Sequence, residues 1–140
     1  MSATIIDSQK VIINAKSEEV FTFLSDFNNI KELLPQDKIS DWTSTVDDCS
    51  FKIQGAATIP LVKDSVEPNN KIKIVSGPKA PFPFKMNVFI NELDGGDGNS
   101  CQGYLHFEGD INAFLKMMVV KPLTNLFDYM AHKLQTKFEA

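Results

Sequence analysis

The side chains able to do chemistry are few in this sequence and scattered along it. The two histidines, His106 and His132, are read as isolated residues without a clustered carboxylate set, which argues against a metal site. Cys49 and Cys101 are far apart and form no CxxC or Cys–His spacing, so neither zinc nor dithiol redox chemistry is indicated. Free buried thiols in a reducing compartment are the reading they support. Asp41 and Asp64 interrupt segments patterned as strands. Facing inward, either would have a raised pKa and serve as a general acid; at a sheet edge it would be solvated. Lys71 and Lys73 share one phase of a strand and form a solvated face, with phosphate attachment as the alternative. Neither a GxSxG elbow nor an HExxH pair occurs, although a Ser/His/Asp set can assemble from distant residues. These observations assign no catalytic residue, no metal and no cofactor.

The elements that would position such groups follow from periodicity. Residues 3–14 are rich in Ile and Val with a polar break, and form a first strand. Ser17, Glu18 and Glu19 then open a helix running to about Asp26, with Ser17 as its cap and the two acids at its positive end. A second short helix follows, with Asn29 and Glu32 spaced as a capping box and Ile30, Leu33 and Leu34 as its apolar face. Pro35 stops it. Residues 38–109 carry short strands. The sharpest alternation runs through Phe82, Phe84, Met86, Val88 and Ile90, and later through Cys101, Gly103, Leu105 and Phe107. His106 falls on the polar phase of that last strand. Asp94 to Asn99 forms a hairpin loop; its acids lack the spacing of a calcium loop. Residues 112–138 return to helical spacing, with Val119, Leu123, Leu126, Phe127, Met130, Leu134 and Phe138 in one stripe. His132 belongs on the surface or rim of this helix. Pro122 cannot sit unstrained inside a helix, so it either kinks this one or opens the main helix at 122 after a lead-in over 112–120. The lead-in, FLKMMVVK, is expected to be buried; a lid, a membrane contact or a partner surface are the alternatives.

The bulk properties fit one domain over residues 1–140. That length buries enough surface to fold without a staple. The composition is 43% hydrophobic and 23% charged, and 11 of its 14 aromatic residues are Phe, which fills space without a polar group to satisfy. All 14 cations are Lys and the net charge is −4. An acidic chain without Arg is poorly suited to nucleic acid. No apolar run approaches a transmembrane span and the N-terminus lacks a secretory pattern, so a cytoplasmic location is expected.

The order strand, two short helices, six strands, long helix, with KSEEVFTFLSDFNNIKELLP at the first strand-to-helix step, resembles the helix-grip superfamily. START lipid-transfer domains, polyketide cyclases and the birch-pollen allergen group belong to it. Val20, Phe21, Leu24, Asp26, Asn29, Leu34 and the terminal amphipathic helix carry the likeness across nearly the whole chain. The resemblance implies an α+β fold: a curved seven-stranded antiparallel sheet wrapped around the C-terminal helix, with two short helices between strands one and two. It also implies a cavity between sheet and helix for a sterol, polyketide, fatty acid or similar apolar compound. No acid–base or metal set of an enzymatic relative can be matched here.

Two opposed apolar faces define the candidate site. Trp42, Phe51, Phe84, Met86, Leu105 and Phe107 on the strands, and Phe127 and Met130 on the helix, are the candidate ligand-binding residues, with Met118 also expected to face the sheet. The function that follows is binding or carriage of a small hydrophobic ligand. An enzyme of the polyketide cyclase/dehydrase type and a filled-core protein-interaction module are the alternatives. A deep polar cluster would mark the enzyme, and a core without a cavity would mark the interaction module.

Overall fold

A computed structural model describes residues 3–93 and 98–138; most of the expected Asp94–Asn99 loop lies outside the described residues. Strands β1 (Thr4–Asp7) and β2 (Val11–Ile13) precede helix α1 (Ser17–Ser25) and a 3-10 helix (Phe27–Leu33). Strands β3 (Ile39–Ser44), β4 (Asp48–Ile53), β5 (Thr58–Glu67), β6 (Lys71–Ser76), β7 (Phe84–Glu92) and β8 (Cys101–Gly109) follow, then helix α2 (Ala113–Lys137). One antiparallel sheet has the order β1-β8-β7-β6-β5-β4-β3, with β2 also paired to β8. The chain has the helix-grip fold, the long helix crossing a sheet of seven strand positions.

The first strand is divided in two. Asp7 pairs with His106 and Val11 with Gly103, so the N-terminal side carries one extra residue across the break. Such a bulge exchanges the two faces of a strand. Ile6 and Ser8 are buried before it, Val11 and Ile13 after it. Ser8 repairs the ladder. Its amide donates to the Leu105 carbonyl at 2.9 Å, and its hydroxyl accepts from the Leu105 amide at 2.8 Å. Two further bulges lie between Ser40 and Thr43 and between Lys63 and Ser65. They bend the sheet at Asp41, which has φ 55, and at Asp64.

Two expected caps are corrected. Lys16, extended at φ −67 and ψ 147, occupies the cap position of α1 without a side-chain bond, and Ser17 is buried inside the first turn. The capping box gives way to Asp26, which accepts from the Asn28 amide and caps the 3-10 helix. Asn29 donates instead to the Phe23 carbonyl at 2.9 Å, and Glu32 pairs with Lys137 at 3.2 Å. Pro35 does end the short helix, with Leu34 extended.

Pro122 does not open the main helix. Helix α2 is continuous from Ala113 to Lys137 with Pro122 inside, because Val119 and Leu123, on either side of it, are both buried against the core. That packing outweighs the hydrogen bond the proline lacks. Beyond Pro122 the helix is latched by polar side chains one turn apart. Asp128 accepts from the Gln9 amide at 2.8 Å, His132 meets the Gln9 side chain at 2.6 Å, and Gln135 donates to the Ile12 carbonyl at 2.9 Å. The end of the helix is fixed by Lys137, which lies 4.5 Å from the Phe23 ring centre.

Candidate functional site

The concave face of the sheet and the buried side of α2 meet in a core that is almost full. The eight candidate residues divide into three groups within it. Trp42 is half-buried and stacks on Phe51, ring centres 6.3 Å apart. Phe84, Phe107 and Phe127 pack on one another, with Phe107 5.3 Å from Phe84 and 5.4 Å from Phe127. Phe82 adds an edge contact to Phe107 at 6.4 Å. Met86, Leu105 and Met130 border a void, together with Leu24, Phe27, Ile30 and others. The void measures about 30 Å³, close to one water molecule's share of the liquid. Its walls are apolar, so it offers a water no partners.

The larger space was not foreseen. A cleft of about 540 Å³ opens where α2 passes the β3–β4 end of the sheet. Pro35, Ile39, Ile53, Pro122 and Leu126 supply its apolar surface, and Asp37, Lys38, Gln54, Lys121, Asn125 and Tyr129 add polar groups. The cleft and the void are lined by residues close together in the chain. Leu33 lines the void and Pro35 the cleft, while Met130 and Leu126, one helical turn apart, do the same on α2. One sequence signal could have pointed here: Pro35, just past the short helix, and Pro122, inside α2, both lack an amide donor and both line the cleft.

The chemically capable residues lie elsewhere. His106 is on the outer face of the sheet, between Asp7 at 2.5 Å and Glu108 at 3.1 Å. The hydrogen bonds to Glu108 and then Asp7 favour its charged form and raise its pKa. Asp41 and Asp64 are exposed at their bulges, which leaves the solvated reading for both. Burial, and after it the Asp48 charge, pushes the Cys49 thiol up to about 12. Cys101 is raised as well, first by burial and then by Glu92. Neither thiol is an activated nucleophile. Among the described residues, no group of three His, Cys, Asp or Glu side chains is arranged to hold a metal ion. Lys71 pairs with Glu67 at 2.7 Å, and Lys73 is solvated. Met118 turns outward, 42% exposed, with Phe114 and Met117 beside it at 72% and 87%. Most of the lead-in segment is therefore exposed, contrary to expectation, with Val119 alone of its residues buried. No described helix is long and apolar enough to cross a membrane.

No family model matches the sequence, and no curated protein matches it either. Solved structures do match. An uncharacterized protein from Bacillus thuringiensis superposes with TM-score 0.71 at 15% identity, over 96% of this chain and 98% of its own. A START superfamily protein from Mycobacterium smegmatis gives 0.67 at 12% identity, over 96% of each chain. Truncated norcoclaurine synthase from Thalictrum flavum gives 0.69 at 14% identity, over 98% of this chain and 95% of that one. At such identities a likeness speaks for architecture alone. Together with the topology, these matches show the helix-grip fold.

Proposed function

We propose that the chain binds a small hydrophobic molecule between the sheet and α2, entering at the cleft beside Pro122. The observation that carries this reading is the cleft itself. At about 540 Å³ it has the size of a ligand site, with apolar walls from Pro35, Ile39, Ile53, Pro122 and Leu126 and polar side chains around them to orient the guest. The core void behind it is too small for an organic ligand, so a longer molecule reaches Met86, Leu105 and Met130 only by displacing side chains. Met86 and Met130 suit such repacking, since an unbranched thioether adapts to irregular shapes. Carriage rather than chemistry is the reading favoured by the buried face, whose polar members are only Ser8 and Ser17 among the described residues. Two buried thiols fit a reducing compartment, the cytoplasm in our reading.

Titration with the neutral apolar dye N-phenyl-1-naphthylamine tests this reading. The wild type should show saturable one-site binding. Asn125→Trp, placed at an exposed rim position, should weaken it by at least about tenfold without changing the melting temperature. The absence of saturable binding, or full affinity in the variant, would refute the cleft as the site.

A further inference from the structure

The first two turns of α2 present an apolar surface that the fold does not use. Phe114, Met117, Met118 and Lys121 stand at i, i+3, i+4 and i+7, which places them on one side of a helix. Val119 and Leu123 face the core from the opposite side, each 1% exposed. Ala113, Lys116 and Met117 are exposed as well, while Leu115 is half-buried. The helix start is thus an exposed apolar knob, and only its last member, Lys121, borders the cleft. Its charge is opposite to that of the protein. The chain is net −4, yet Ile111 to Phe127 contains Lys116 and Lys121 and no acid. Neither lysine joins an ion pair among the described residues.

We propose that this knob docks the protein on an anionic lipid surface, with Phe114 and Met117 entering the headgroup layer and Lys116 and Lys121 meeting lipid phosphates. A convex apolar projection suits a fluid surface, which needs no complementary pocket. Lysines bury their alkyl stems and keep the charge at the interface. A second copy fits less well. A symmetric contact would set the lysines of one knob against those of the other. Three exposed apolar side chains also fall short of the roughly 800 Å² per partner that a stable dimer buries. Phe114, Lys116 and Met117 do not line the proposed ligand cleft, whereas Lys121 borders it, so substitutions at the first three test the knob apart from the cleft.

Vesicle co-sedimentation without added ligand provides the test. The wild type should sediment with phosphatidylcholine vesicles containing phosphatidylglycerol, remain in solution with pure phosphatidylcholine, and be released by salt. Phe114→Ser combined with Met117→Ser should abolish binding. Lys116→Glu and Lys121→Glu should each weaken partitioning by about fivefold or more, as expected for one basic residue near a charged membrane. All of these positions are exposed, so unchanged thermal melting should accompany the losses. Absence of wild-type binding to the anionic vesicles, or binding that survives the serine pair, would overturn the proposal. A dimer in solution that the serine pair dissociates would overturn it too, assigning the knob to a second copy.

Discussion

His106 lies on the solvent side of the sheet yet leaves a mark on stability. Its proton is held more tightly in the folded chain, by Glu108 and Asp7, than in the unfolded one. Stability from this source is complete below the ordinary value of about 6.5 and is lost as pH rises through the raised folded value. The melting temperature should therefore decline across the neutral range. His106→Gln should flatten that part of the profile, and differential scanning fluorimetry against pH would check it. The cysteines give a second expectation. Cys49 and Cys101 are 3% and 0% exposed, so Ellman's reagent should leave the native protein unlabelled while reacting at once in denaturant. Rapid native labelling of either thiol would contradict the burial. Both the polar placement of His106 and the inertness of the thiols were legible in strand alternation and spacing. The carboxylates paired with His106 were missed: Glu108, a near neighbour in the strand, was not read as a partner, and Asp7 arrives through the β1–β8 pairing.

At the scale of elements, alternation and helical stripes located the strands and α2, because each is driven by burial of one face. What they missed has two causes. A residue-local rule set Pro122 as a helix start, and packing of Val119 and Leu123 overrode it. Bulges at Ser8, Asp41 and Asp64 are register events, set by a partner strand that the local sequence does not contain. The candidate site shows the same limit. Periodicity says that Phe84, Phe107 and Phe127 point inward, but not that they fill one another's space. Their packing predicts a full core-type loss for Phe127→Ala, about 3–5 kcal/mol. Met130→Ala should fall toward the low end of about 2–5 kcal/mol, since Met130 already borders a void and has fewer contacts to lose. Urea denaturation of both variants would check the order. Equal losses would mean that the void has no energetic consequence.

For the whole molecule, topology was the most legible level and the site the least. The order of elements admits few ways of closing a sheet onto one long helix. The cleft, by contrast, is made where Lys121–Tyr129 of α2 passes two paired segments of the sheet end, Pro35–Ile39 and Ile53–Gln54. Each is ordinary when taken alone. A cavity is a property of distances between elements, and no residue type encodes it. The apolar knob had the opposite history. Its residues were conspicuous in the sequence, but FLKMMVVK was expected to be buried, and the direction of the helix instead leaves Phe114, Met117 and Met118 exposed.

The proline inside α2 also bears on how the molecule opens. Pro122 has no amide hydrogen, so the Met118 carbonyl loses its usual helical donor, and Thr124 directs its hydroxyl to the Val120 carbonyl at 2.7 Å. All three polar latches to the β1–β2 region lie beyond this point. One continuous helix should therefore divide into two cooperative units. In native-state hydrogen exchange, amides of residues 117–121 should exchange through a low-energy local opening. Those of residues 126–134 should follow global unfolding and share its dependence on denaturant. Uniform protection along the helix would show that it opens as a single unit.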